Sequence, residues 1–196
     1  LLWFAALAAV DAKGDKQIAD AKGVLASWDW NFDGKGRADA LAAILLRVGN
    51  RWHYPAKTPN DPREELGKAA AYLQRYFGRI DPPPGTVLRL RQGEGKHRVD
   101  RPLDGGADVL RATANWDEDV DGRLAVKHGD SFIMFIAWDR AGRVRSRSIQ
   151  PFGAATTRPQ SKHYADQAAL FADHKLKPVW FDPAELAPHV ERDYRP

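Results

Sequence analysis

Phe132-Ile133-Met134-Phe135-Ile136-Ala137-Trp138, an unbroken apolar run set directly after Gly129-Asp130-Ser131, is the stretch on which the fold turns. It reads as a β-strand, and because every position is apolar both of its faces are expected to be covered. Arg143 to Ile149 follows and alternates with polar residues, as a half-exposed neighbour does. Asp139 to Gly142 supplies the turn between them.

Working outward, Thr86 to Arg91, Val109 to Thr113 and Arg123 to Lys127 read as further short strands, with Asp121-Gly122 as another turn. Downstream, a loop leads to short helices near Asp166 to Ala172 and Asp182 to Val190. Upstream, the first eighty residues read as helical. Ile18, Ala21, Leu25 and Trp28 recur at helical spacing, as do Leu41, Ile44, Leu45, Val48 and Trp52. The clearest apolar stripe is Leu66, Ala69, Ala70, Leu73, Tyr76, Phe77 and Ile80. Asp61 can cap that helix, Pro62 suits its first turn, Glu64 and Glu65 favour its positive end, and Gly78 offers a stop. Tyr54-Pro55 through Asn60 is a loop.

Asp81-Pro82-Pro83-Pro84-Gly85 is the strongest boundary signal, because three prolines cannot continue a helix and impose an extended course. The expected organisation is a helical region, 1–80, and a strand-rich region, 81–196. Helices around a buried strand with half-buried neighbours suit layered α+β packing, with antiparallel strands in the second half.

The 196 residues are 43% hydrophobic and 29% charged, enough for one domain or a large piece of one with a water-facing surface. A net charge of +4, with 30 basic residues scattered among 26 acids, gives nucleic-acid binding little support. With no cysteine, thiolate catalysis, disulfides and cysteine-ligated zinc are excluded. Leu1 to Val10 is apolar but too short to span a bilayer and lacks a basic n-region, so no membrane association is expected. Leu1 is read as an interior position of a longer precursor. The seven tryptophans are expected in the core or a groove wall.

Several pieces, taken in order, carry a resemblance. They are Leu25-Ala26-Ser27-Trp28-Asp29, Val87-Leu88-Arg89-Leu90-Arg91, Leu103 to Ala112, Ser161-Lys162-His163-Tyr164-Ala165-Asp166-Gln167, and the tail through Lys177-Pro178-Val179-Trp180-Phe181. Together they resemble the C-terminal part of the β-chain in the penicillin acylase (penicillin amidase) family of N-terminal-nucleophile hydrolases. Lys162 stands where that family has proline, and Leu88 where it has histidine. The resemblance implies that the strands complete part of an αββα sandwich and that the first half is the β-chain's peripheral helical region. It implies an amidohydrolase that removes an acyl side chain from a β-lactam, an acyl-homoserine lactone or a similar N-acyl compound. It also implies a processed zymogen of the periplasm or a secreted protein, in some members tied to antibiotic biosynthesis. The expected partners are the remainder of the β-chain, the α-chain and a small N-acyl substrate.

In that family a serine at the start of the β-chain attacks the amide, and its own α-amine takes the hydroxyl proton. An α-amine titrates at about 7.7–8.0, so it is a competent base near neutrality. Leu1 has no hydroxyl, and the family's nucleophile and oxyanion donors lie upstream of the matched region, so this segment alone is expected to be inactive. Asp130 is the one candidate catalytic residue, as a late carboxylate that orients an upstream histidine; its other reading is a turn cap. An independent, non-catalytic binding module is the alternative function.

Other motifs have ordinary readings. His163 and Asp166 have a His-x-x-Asp spacing but no third ligand nearby, and read as hydrogen-bonding residues that pin a loop. Arg140 to Arg147 holds four arginines and reads as a charged, solvated edge strand that could also meet an acidic ligand. Asp29-Trp30-Asn31-Phe32-Asp33-Gly34 matches the opening of a calcium loop. Gly36 and Arg37 at its eighth and ninth positions, and Ala40 at its twelfth, do not fit; Asp39 lies one residue early. The segment reads as a turn between helices, and no metal or cofactor is expected.

Overall fold

The structure, a computed structural model, describes residues 2–49, 60–106, 109–114 and 117–192. Trp52 and the loop from Tyr54 lie outside the described residues. The chain divides into two compact units, Leu1–Gly129 and Asp130–Pro196.

The first unit opens with four helices: α1 (Leu2–Ala8), α2 (Lys16–Ala26), α3 (Asp39–Gly49) and α4 (Pro62–Phe77). α4 begins and ends where its sequence dictates. The Asp61 carboxylate accepts from the Arg63 amide at 2.8 Å, Pro62 occupies the first turn, and Gly78 closes the helix in the left-handed conformation. Its apolar stripe, Leu66, Ala69, Ala70 and Leu73, is buried, and α4 packs against α1, α2 and α3. Leu7, Leu41, Leu45, Leu66 and Leu73 are sealed in this core. Each such side chain contributes roughly 1.5–3 kcal/mol of transfer free energy. The Trp3 indole N–H adds a 3.0 Å bond to the Leu45 carbonyl.

After Pro82 the helices give way to strands, but not at once. Pro84–Val87 forms a single helical turn, α5, where an extended strand start is expected. Proline is barred from helix interiors, not from a first turn, where its missing N–H has no partner to lose. The strands then follow as β1 (Leu88–Gln92), β2 (Val99–Pro102), β3 (Thr113–Ala114), β4 (Asp117–Glu118), β5 (Leu124–Ala125) and β6 (His128–Gly129). They make a four-stranded sheet in the order β2-β1-β5-β4, in which only β1 and β5 run parallel, and a separate β3-β6 pair. β1 points Leu88 and Leu90 inward and Arg89 and Arg91 to the other face, the alternation its sequence carries.

The second unit holds β7 (Ile133–Trp138), β8 (Val144–Ile149), α6 (Ala168–Ala172), β9 (Lys177–Val179) and α7 (Pro183–Leu186). Its sheet is antiparallel in the order β7-β8-β9, with Ile133 opposite Ile149 and Trp138 opposite Val144. The chain is thus a mixed α/β protein with a helical first half and small, mainly antiparallel sheets.

Three expectations are corrected here. β7 is not covered on both faces: Phe135 is 64% and Trp138 66% exposed, and the strand lies at the sheet's edge. Trp138 and the exposed Trp30 therefore depart from the core placement expected of the tryptophans. The arginine-bearing strand is not an edge either. β8 runs between β7 and β9, with Ser146 and Ser148 buried and Arg145 and Arg147 exposed.

Candidate functional site

Asp130 is half-buried and lies between β6 and β7, three residues ahead of the apolar strand. The β7–β8 turn beyond it forms as its sequence requires. The Asp139 carboxylate accepts from the Ala141 and Arg143 amides, at 2.9 and 3.0 Å. Those amides, with the Arg143 guanidinium, hold the Asp139 carboxyl below its usual range.

The loop after β8 is held as its polar residues suggest. His163 Nδ1 meets Asp166 Oδ2 at 2.8 Å, and the His163 amide donates to Ser161 Oγ at 3.1 Å. Gln167 is buried; its side-chain oxygen accepts from the Gln150 amide at 3.2 Å, while its own amide donates to the Phe152 carbonyl at 2.7 Å. Gly153 sits against the loop so closely that a Cβ there would come within 2.2 Å of the His163 carbonyl oxygen. His163 Nε2 lies 3.9 Å from Glu191, which Lys162 engages at 2.5 Å. The lysine that departs from the family motif therefore fastens the loop to the tail. The His163 ring and Asp166 thus pair with each other and with Glu191 across the loop, while Gln167 ties its backbone to Gln150 and Phe152.

Ser148 Oγ accepts from Lys177 Nζ at 3.0 Å, the atoms of a serine–lysine pair. Ser148 is sealed from solvent, so no substrate carbonyl reaches its oxygen. Among the described residues, no group of three histidine or acidic side chains is already gathered to hold a metal.

A cleft of about 650 Å³ opens in the first unit beside Arg91, Gly93, Glu94, Arg98, Asp119 and Lys127. Arg91 on its wall is spoken for. Arg91 is 92% buried at its side chain, leaving 8% exposed, and donates to Asp100, Asp119 and Asp121 at 3.1, 2.5 and 3.0 Å. With contacts to three carboxylates, the guanidinium has no direction left for a ligand. Its bonds hold Asp121 well below the usual carboxylate range. Burial works against Asp100, but Arg91 and Arg89 outweigh it and keep that carboxyl low as well. This network ties β1, β2 and the β4–β5 turn together. The Arg89/Arg91 alternation was visible in the sequence; that three distant aspartates converge on one arginine was not.

The described residues thus hold a half-buried carboxylate ahead of β7 and a loop fixed by polar contacts. No helix among them is long and apolar enough to cross a membrane. No curated protein matches the chain. The penicillin amidase family matches over residues 4–188, nearly the whole chain, which includes the helical half as well as the motifs of the second. The chain belongs to the penicillin amidase family.

Proposed function

We propose that the chain is the supporting C-terminal part of an N-terminal-nucleophile acylase, with the reacting groups on other polypeptide of the same enzyme. Family membership implies amide hydrolysis by the parent protein. The substrates proposed are N-acyl compounds such as β-lactams or acyl-homoserine lactones, and the compartment the periplasm or the exterior, after zymogen processing.

The observation that carries the reading is the state of β7. Phe135, Ile136 and Trp138 are exposed on β7, with Phe132 exposed just ahead of it, and the strand's outer backbone edge has no partner strand among the described residues. Such an edge invites another strand, and so much apolar surface is costly in water. An independent soluble module has no use for it. A sheet completed by the catalytic half of an acylase does, and β7 is then the central strand that its composition suggests. Asp130, just ahead of β7, would reach the active site as a positioning carboxylate and not as a nucleophile.

The test compares this chain with the complete acylase on a chromogenic N-acyl substrate. Turnover by the complete protein, none by this chain, and burial of β7 amides against hydrogen exchange only in the complete protein are expected. Turnover by this chain alone would overturn the proposal.

A further inference from the structure

β8 is the middle strand of its sheet, and its two faces differ. Ser146 and Ser148 point to a closed side, where Lys177 Nζ donates to Ser148 Oγ at 3.0 Å. Arg145 and Arg147 point to the other side and are exposed. The pairing register sets apolar residues beside them. Phe135 lies opposite Arg147 on β7, Ala137 opposite Arg145, and Pro178 opposite Arg147 on β9. All three are exposed, Phe135 by 64%.

Among the described residues, neither Arg145 nor Arg147 makes an ion pair or a side-chain hydrogen bond; Arg145 only adds its charge to the field at Asp139. Arg143, in the same stretch, is by contrast paired with Asp139 at 2.7 Å. Charge that keeps a sheet apart from its neighbours usually stands on an edge strand and is most often lysine. Here the strand is central, and the stretch from Arg140 to Arg147 holds arginines and no lysine. Arginine beside exposed aromatic surface is the composition of a protein interface, from which lysine is depleted.

We propose that this face of the β7-β8-β9 sheet docks an acidic segment of the same enzyme that lies outside this chain, with its carboxylates on Arg145 and Arg147 and its apolar side chains on Phe135, Ala137 and Pro178. The inference rests on the reading above, that further polypeptide completes this sheet, and adds the chemistry of what covers it. Two positions apart on a strand, the arginine Cα atoms stand roughly 6.5–7 Å from one another. Acidic residues one turn apart on a helix, at about 5–6 Å between Cβ atoms, match that spacing. Guanidinium suits the task, because its planar fork takes a carboxylate through two parallel bonds and it is more weakly hydrated than an ammonium. The arginine stems and the Phe135 ring add apolar area that leaves water on docking. A small anion alone would leave Phe135 in water and fits this face less well.

The experiment labels arginines with phenylglyoxal in this chain and in the complete acylase, reads the sites by mass spectrometry and follows β7 amides by hydrogen exchange. Arg145 and Arg147 should react in this chain and lose that reactivity in the complete protein. In the complete acylase carrying Arg145→Lys and Arg147→Lys, a zero-length carbodiimide should join the introduced amines to aspartate or glutamate outside this chain. Equal labelling of both arginines in the two proteins, with β7 amides protected in the complete one, overturns acidic docking and leaves the sheet-completion reading standing. Loss of labelling without coupling to an outside carboxylate, or coupling to Asp139 alone, overturns it too. Unprotected β7 amides in the complete acylase would sink that reading and this inference with it.

Discussion

Replacing Asp39 by asparagine should flatten the stability of the helical unit between about pH 4 and pH 7. The carboxyl has an ordinary value of 3.8 and is raised to about 6 in the folded chain, by burial first and by Asp33 and Asp29 after it. The folded state therefore holds this proton more tightly than the unfolded state does. Stability from the protonated form is fully present below 3.8 and is lost as the pH climbs through about 6. At 1.36 kcal/mol per tenfold in proton affinity, the loss is on the order of 3 kcal/mol above pH 7, and roughly 2.5 kcal/mol of it falls between pH 4 and pH 8. Asparagine keeps an acceptor for the Gly34 amide but has no charge to bury. Urea unfolding followed by the helical circular dichroism signal gives the comparison. The variant's advantage over the parent should be small at pH 4 and grow to about 2–3 kcal/mol at pH 7.5. An advantage that is constant with pH, or that grows toward acid, would falsify the account of Asp39 as an uncompensated buried charge.

Arg91→Ala leaves Asp100, Asp119 and Asp121 without their shared cation and should cost about 3–5 kcal/mol in urea unfolding, with Arg91→Lys restoring only part because an ammonium lacks the planar fork. Because Arg91 holds Asp121 and Asp100 low, the stability it brings is present above the ordinary carboxyl value of 3.8 and is lost as the pH falls below it; an acid titration of parent against Arg91→Ala should converge at the low end. Phe135→Lys with Trp138→Lys should reduce self-association in sedimentation while changing stability by no more than about 0.5 kcal/mol, since both rings are mostly in water; a loss of several kcal/mol would mean β7 is buried. Gln167→Ala removes the acceptor for the Gln150 amide and should cost about 1–2 kcal/mol. In the complete acylase, Asp130→Asn should lower kcat by about 10² and move the pH profile; a profile identical to the parent's would make Asp130 a turn residue.

Local chemistry was legible wherever a few adjacent residues decide the outcome. The Asp61-Pro62 start and Gly78 stop of α4, the Asp139 to Gly142 turn and the pairing of His163 with Ser161 and Asp166 each rest on groups within a few positions of one another. α5 was misjudged because proline's effect depends on whether it stands inside a helix or opens one. The short strands β2, β4, β6 and β9 carry too few residues for a period to show. In the candidate site, Asp130 and the His163 loop could be named in advance. The Arg91 network and the buried state of Asp39 could not.

What the sequence determined by itself is a helical first half followed by a strand-bearing second half, the faces of α4 and β1, the absence of thiol chemistry and the family. Only tertiary structure decided which charges meet. Arg91 gathers carboxylates from 9 to 30 positions away, Arg37 leaves its own loop for Asp81, and β7 takes an open edge instead of a covered centre. The reason is physical: backbone periodicity and capping are set by neighbours along the chain, whereas burial and the pairing of charges depend on what packing brings together from far apart in it.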